Sequence, residues 1–322
     1  MFNRILAAAL AVVVTGFAAS AVAQDYPSRS VIVIVPQPPG GGTDIISRIV
    51  GQQLSKQTKQ TFVIDNRTGA GTIVGTVAAA NAQPDGYTLL TGLNANMAVN
   101  SSLYEKLAYD PIRDFTPVGM MAEFPFVLVV SKDFPAKTVK ELIDMAKAKP
   151  GEINVASAGN GSGQHLSLEL FKLMTGTNLT HVPYRGAAPA YSDVISGRTP
   201  VFFDNLSSGL GQIKSGTVRA LAVTGKERSP SLPDVPTVAE TVPGFQNYVW
   251  FGFWAPKKTP QALVEKMHEE IKKAVADPDV QKRIAADAGV TMNTPLAEIE
   301  TMVKAEIAKW SDVVKKANIK IE

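Results

Sequence analysis

Val31 to Val35 is an unbroken β-branched apolar run, the pattern of a strand buried on both faces. Ile45, Ile46, Ile49, Val50 and Leu54 then recur at helical spacing and predict one buried helix face. Between the two lies Pro36-Gln37-Pro38-Pro39-Gly40-Gly41-Gly42-Thr43-Asp44, where prolines stop the strand and glycines permit a tight turn, with Thr43 or Asp44 expected as N-cap. The alternation continues. Strands are predicted over 61–65, 87–91, 124–131, 153–156, 180–182, 200–204, 218–224 and 248–255. Helices are predicted from Thr72 to Ala82, Thr138 to Lys149 and Pro189 to Ser196, and after Ser157 to His165, where Leu166, Leu170, Leu173 and Met174 share a face. The chain from 256 onward reads as helical, with one stripe at Leu263, Val264, Met267, Ile271 and Val275 and another at Met302, Val303, Ile307, Trp310 and Val314. Such alternation predicts an α/β fold.

A strand, a Gly-rich turn and a helix start form an anion cradle, because free N–H groups and the helix dipole point outward together. The theme occurs at Gln37 to Asp44 and again, more than a hundred residues later, at Ser157-Ala158-Gly159-Asn160-Gly161-Ser162-Gly163-Gln164-His165. Two such loops predict two similar lobes whose helix N-termini converge on one cleft, suited to a carboxylate held by neutral donors. Asn94 and Asn96 fall just past a strand end, where open α/β sheets place ligands. A plainer reading of the first loop is a capped βα turn with an Asp44–Arg48 surface pair.

At 322 residues, 45% hydrophobic and 19% charged, the chain is long enough for two domains. An apolar run from Ile5 to Val14 follows Arg4 and leads to Ala21-Val22-Ala23, the pattern of a signal peptide over residues 1–23 cleaved after Ala23. That predicts an exported protein; losing Arg4 takes the formal charge from +3 to +2. The absence of cysteine means that no disulfide is needed. Basic residues are interspersed with acidic ones, and no Lys/Arg cluster with interleaved aromatics suggests nucleic acid.

Enzyme signatures fail on inspection. No Lys-Ser or Lys-Thr follows the glycines, as a phosphate loop requires, and Asn160 breaks the G-x-S-x-G elbow around Ser162. No His, Asp and Glu set has metal-site spacing, so neither metal nor cofactor is expected. The dinucleotide variant Gly69-x-Gly71-x-x-x-Gly75 lacks a well-placed acidic partner, since Asp85 comes too early and in a turn. His165, in the first turn of a helix beside serines, reads equally as a ligand donor or as a packed residue. His181 reads as structural and His268 as solvated. Of Phe202, Phe203, Trp250, Phe251, Phe253 and Trp254, half should be core and one or two can line a cleft.

Val35 to Asp44, Asp65-Asn66-Arg67-Thr68-Gly69-Ala70-Gly71, Pro84-Asp85-Gly86-Tyr87-Thr88-Leu89-Leu90, Ser157 to His165, His181-Val182-Pro183-Tyr184-Arg185-Gly186 and Phe203-Asp204-Asn205-Leu206 together resemble the Bug family. These are periplasmic receptors of tripartite tricarboxylate transporters, and the likeness runs in order through the mature chain. The resemblance implies a two-lobed periplasmic-binding-protein fold (type II, Venus-flytrap) with a ligand cleft between the lobes. It implies lobe one at 26–123 plus 228–322 and lobe two at 124–227. It implies capture of a small carboxylate, aliphatic dicarboxylate or aromatic acid such as terephthalate or nicotinate, for delivery by a monomeric receptor to membrane subunits of the transporter. A sensor receptor for a signalling partner is the first alternative, and an exported hydrolase or nucleotide-binding enzyme the second. The implied ligand-binding residues are Gln37, Pro39, Gly41, Gly42, Thr43, Asp44, Asn94, Ser157, Gly159, Gly161, Ser162, His165, Tyr184, Arg185, Gly186 and Asp204. Asp204 is expected at the pocket wall, orienting a water or hydroxyl. Gln37, where the family often has an aromatic or small residue, and Leu93-Asn94-Ala95-Asn96, where it often has a His, are departures bearing on which acid is bound.

Overall fold

The computed structural model describes residues 26–319; the expected signal segment at 1–23 lies outside them. The strands are β1 (Val31–Val35), β2 (Phe62–Asn66), β3 (Thr88–Leu93), β4 (Phe115–Ser131), β5 (Asn154–Ser157), β6 (Thr180–Pro183), β7 (Val201–Asn205), β8 (Val218–Val223), β9 (Tyr248–Pro256) and β10 (Val290–Thr291). The α-helices are α1 (Gly42–Thr58), α2 (Ile73–Ala80), α3 (Asn100–Leu103), α4 (Val139–Ala148), α5 (Gly163–Thr175), α6 (Ala187–Ile195), α7 (Leu206–Lys214), α8 (Gln261–Ala276), α9 (Pro278–Ala286) and α10 (Leu296–Lys316). A five-residue π-helix at Ala95–Val99 joins β3 to α3.

β4 determines the architecture. Its first part, Phe115 to Pro125, pairs antiparallel with β9, and from Phe126 onward it pairs with β7 and β8. One sheet therefore runs β2-β1-β3-β9-β4, with parallel pairing around β1, and the other runs β4-β7-β5-β6, with β8 also on β4. Seventeen residues of strand extend about 55 Å at ~3.3 Å per residue, enough to serve both sheets. The sequence predicts a strand only from Phe124, because Pro117 and Gly119 interrupt the earlier stretch. The structure accommodates both at a register shift against β9, where an irregularity absorbs a residue that cannot donate or has no side chain to pack.

The return of the chain is fastened at the same place. The Thr224 hydroxyl donates to the Asn247 carbonyl at 2.6 Å and accepts from the Phe126 amide at 2.7 Å, and the Thr224 amide donates to the Phe126 carbonyl at 2.9 Å. The connection between β8 and β9 contains a short 3₁₀ turn, Val238–Glu240, closed by a capping box between Thr237 and Glu240.

Several local expectations are corrected. α1 starts at Gly42 with Gly41 as N-cap, and Asp44 serves the first turn rather than the cap. In α5, Leu166 and Leu170 are buried with Leu168 and Phe171, while Leu173 and Met174 are exposed at 37% and 40%. The helix rotates its face toward Phe171, which packs on Phe203 and Phe245. α7 is unforeseen: Leu206-Ser207-Ser208-Gly209-Leu210-Gly211 has poor helix propensity, and tertiary packing overrides it. β10 separates α9 from α10 in a stretch expected to be wholly helical. The stripe of α8 is buried as expected; in α10 Val303, Trp310 and Val314 are buried, and Met302 and Ile307 are half-buried against the core.

Two glycines separate a packing requirement from mere permissiveness. A Cβ on Gly75 would lie 2.5 Å from the Arg67 carbonyl and 2.9 Å from Pro36 Cα, both backbone atoms that no rotamer change can move. A Cβ on Gly211, inside α7, meets nothing within 4 Å. Gly75→Ala is therefore expected to lower unfolding free energy by about 1–3 kcal/mol, and Gly211→Ala to raise it by about 0.5–1 kcal/mol. Urea titration of the two variants checks both signs.

Candidate functional site

A cavity of about 670 Å³ opens where the two sheets meet at β4. Three helix N-termini reach it: Gly42 and Thr43 of α1, Ser162, Gly163 and Gln164 of α5, and Asn205, Ser207 and Ser208 of α7. Neither α1 nor α7 has a side-chain cap, so their first-turn amides retain donor capacity toward the cavity. Asn94, Asn100, Asn247 and Tyr248 add polar atoms, and Ile45, Ile49, Leu93, Phe124, Phe126, Val249, Phe251 and Ile284 form apolar wall. Among the described residues, no Lys, Arg or His lines it, and Asp287 is the one charged residue that does.

The first loop is braced from behind. Asp44, only 3% exposed, accepts from the Gly40 amide at 2.9 Å, Arg48 Nε at 2.9 Å and Asn66 Nδ2 at 3.0 Å. Burial opposes its ionisation, but the hydrogen bonds from Arg48, Gly40 and Asn66 outweigh it and hold the carboxyl below its ordinary range. Thr43 donates its hydroxyl to the Gln37 side-chain carbonyl, which leaves that carboxamide its N–H groups as donors. Gln37, Gly42 and Thr43 line the cavity; Pro39, Gly41 and Asp44 do not.

The second loop is braced by histidines. His165 and His181 stack with centroids 3.8 Å apart and planes 6° from parallel. His165 Nδ1 accepts from the Gly161 amide at 3.1 Å, and its own amide donates to the Ser162 hydroxyl at 3.2 Å. Ser157, fully buried, meets His181 Nε2 at 2.6 Å and accepts from the Gly159 amide at 3.1 Å. Gly161 and Ser162 thus line the cavity, while Ser157, Gly159 and His165 stand behind them. Asn94 is also at the cavity, with its carboxamide bridging the Tyr248 carbonyl (2.9 Å) and the Trp250 amide (2.9 Å) like one more strand residue.

Asp204 is fully buried and lies outside the lining. It accepts from the Ser208 hydroxyl at 2.5 Å and from Gln164 Nε2 at 3.3 Å, so it orients two side chains that do face the cavity. Burial pushes its carboxyl up, only partly offset by Ser208, Gln164 and Tyr191. Tyr184 spends its hydroxyl on Asp193 at 2.7 Å, Arg185 is exposed, and Gly186 donates to the Ala158 carbonyl at 3.3 Å; none of the three lines the cavity.

The lining residues that the sequence does not single out are chiefly Asn205, Ser207, Ser208, Asn247 and the apolar wall. Asn205 directly after a predicted strand was a usable signal. Asn247 and Asp287 carry no motif and reach the cavity through tertiary placement alone. Of the aromatics, Phe251 lines the cavity, while Phe202, Phe203, Trp250, Phe253 and Trp254 are buried outside its lining. Among the described residues, no group of three His, Cys, Asp or Glu side chains is placed to hold a metal, and no helix is long and apolar enough to cross a membrane.

Two α/β lobes meeting at a donor-lined cleft define a solute-binding protein of the periplasmic type. The family model for the tripartite tricarboxylate transporter family receptor matches residues 46–319, and the chain belongs to that family. It is 36% identical to protein BugT of Bordetella pertussis over 309 residues, covering 95% of each chain. Among solved structures it is similar to R. palustris Rpa4515 with adipate (36% identity, TM-score 0.76, 92% of this chain and 99% of the other). It is also similar to MatC of Rhodopseudomonas palustris with bound malate (33% identity, TM-score 0.74, 90% of this chain and 100% of the other). The family is one of solute-binding receptors, and its solved members include periplasmic binding proteins.

The histidine pair has a pH consequence. Burial and the neighbouring His165 depress His181 from 6.5 to about 4. The unfolded chain therefore takes up this proton first as pH falls, so the contribution of neutral His181 is complete above about 6.5 and lost as pH drops toward about 4. Thermal melts from about pH 7 to about pH 5 should show a steeper loss of Tm for the native chain than for His181→Asn; parallel slopes would remove His181 from the account.

Proposed function

We propose that this chain is exported to the periplasm, with its leader cleaved after Ala23, and that it acts as a monomeric receptor. It captures a small organic carboxylate, within the range of aliphatic dicarboxylates and aromatic acids, and presents it to the membrane subunits of a tripartite tricarboxylate transporter. Binding is the whole function; no bond is made or broken. The observation that carries this reading is the convergence of three helix N-termini on a cavity whose lining, among the described residues, holds no cationic side chain. Backbone amides, hydroxyls and carboxamides are donors at fixed positions, and helix dipoles bias them toward an anion. The adipate and malate of the two related structures are carboxylates of this kind.

The lobes are residues 26–123 with 228–322, and 124–227. The partner change of β4 at Pro125–Phe126 and the Thr224–Asn247 fastening support a hinge there. Donors from α1 lie on one side of that hinge and donors from α5 and α7 on the other, so a ligand bridging them favours closure. Occupancy is thereby converted into shape that a membrane partner can read.

Two variants test the cradle. A Cβ on Gly42 meets no atom within 4 Å, so Gly42→Phe should fold with an unchanged melt in the absence of ligand while its ring fills the donor site and abolishes binding. Asp204→Ala releases Ser208 and Gln164 and should weaken binding up to about tenfold without changing the preference for anions. The readout is native mass spectrometry of the purified protein followed by a thermal-shift panel of mono-, di- and tricarboxylates. A ligand at a hundred times its Kd adds about 2.7 kcal/mol, a shift of a few degrees. Binding retained by Gly42→Phe, or a response to a neutral sugar and to none of the acids, would overturn the proposal.

A further inference from the structure

A carboxamide or hydroxyl can face a ligand as donor or as acceptor, and its partner on the protein side decides which. Gln164, in the first turn of α5, is 6% exposed and lines the cavity. Its carboxamide meets Asp204 Oδ1 at 3.3 Å, and an ionised carboxylate only accepts, so the atom there is the nitrogen, Nε2. Asn247, 2% exposed and just before β9, repeats the arrangement. Its Nδ2 donates to Ser167 Oγ at 2.6 Å, and the Ser167 proton goes on to the Gly163 carbonyl at 2.8 Å. Gln164 Oε1 and Asn247 Oδ1 have no protein partner among the described residues, yet neither is sealed from solvent. In side chains so deeply buried, the open side is the cavity that both line. Ser208, also in the lining, spends its hydroxyl proton on Asp204 Oδ2 at 2.5 Å and keeps only lone pairs.

These acceptors sit among free donors. Ser162 accepts from the His165 amide and keeps its proton, Gln37 keeps its N–H groups, and the first-turn amides of α7 have no side-chain cap. The free donors suit a carboxylate. Lone pairs repel one, so Gln164, Asn247 and Ser208 need a different group against them, one that donates, when a ligand displaces their water.

Resting on the carboxylate reading above, we infer that the ligand is a hydroxy acid, whose carboxylate takes the free donors and whose hydroxyl donates to the oxygens of Gln164, Asn247 and Ser208. A hydroxyl fits because it can donate to one of these oxygens and accept from a first-turn amide of α7 at once. A methylene in its place leaves the oxygens unpaired. An ammonium donates but cannot accept, and it stands before the positive ends of the α5 and α7 dipoles. The charge of Asp204 is already met by Ser208 and Gln164, which lie between it and the cavity. Mono- and dicarboxylic acids alike can carry such a hydroxyl. Asp204 is then a positioning residue for specificity, since by accepting from both side chains it fixes which atoms they turn to the ligand.

The test is isothermal titration calorimetry of the purified protein at about pH 7.5 with matched acids: propionate against lactate, phenylacetate against mandelate, and succinate against malate and aspartate. On each frame that binds, one enantiomer of the hydroxy acid should bind about tenfold or more tighter than its parent, and malate tighter than aspartate. Asp204→Asn keeps the shape but can donate to Ser208 or Gln164. It should cut the hydroxy-to-parent ratio about fivefold or more, whereas loss of general support would weaken both acids alike. Ser208→Ala, at an exposed position, should lower the same ratio and decides the matter if Asp204→Asn does not fold. Equal binding of hydroxy and parent acids, binding only of acids without a hydroxyl, a tighter aspartate, or a ratio unchanged in both variants would overturn the inference and leave the carboxylate reading standing. Failure of these acids and of the whole carboxylate panel would overturn both.

Discussion

The structure depends on a single strand being shared by two sheets. β4 gives its first residues to β9 and its last to β7 and β8, so the backbone hydrogen bonds of both sheets draw on one continuous segment. Backbone donors and acceptors in a core have to be paired, which forbids the two sheets from drifting apart along this line. The Thr224 hydroxyl supplies the complementary fastening, since it satisfies the Phe126 amide and the Asn247 carbonyl at the point where the chain crosses back. Rotation about this seam is compatible with those bonds; separation is not.

From that seam the cavity follows. Helices that start at the ends of β-strands point their N-termini toward the junction, and three of them do so from both sides. Donors fixed in this way need no lysine or arginine, which avoids burying a cation that would be costly when the cleft is empty. The supporting residues are correspondingly elaborate. Asp44 holds the first loop, the His165–His181 stack with Ser157 holds the second, and Asp204 orients Gln164 and Ser208. Much of the ionic and polar chemistry in the two motifs thus positions the cradle from behind, and the lining itself is mainly neutral.

That division explains which residues were legible in advance. The first loop, the second loop and Asn94 announce themselves by position after a strand, and Gln37, Gly42, Thr43, Gly161, Ser162 and Asn94 do line the cavity. Ser157 and His165 occur in the second loop, and Asp204 in Phe203-Asp204-Asn205-Leu206, yet none of the three lines the cavity, because a motif marks a segment and not the direction of each side chain. Asn247, Ile284 and Asp287 belong to segments with no local signature, and more than eighty residues separate each from the second loop.

The sequence by itself determined the alternation of strands and helices, the two cradles and the family, since these rest on local periodicity, turn chemistry and ordered motifs. It could not determine that β4 begins at Phe115, because Pro117 and Gly119 read locally as breaks and become tolerable only beside β9. Nor could it place α7, whose glycines and serines disfavour a helix until packing stabilises it. Above all, the composition of the cavity was decided by tertiary structure. Which side chains line it depends on contacts between elements far apart in the chain, and such contacts leave no period to read.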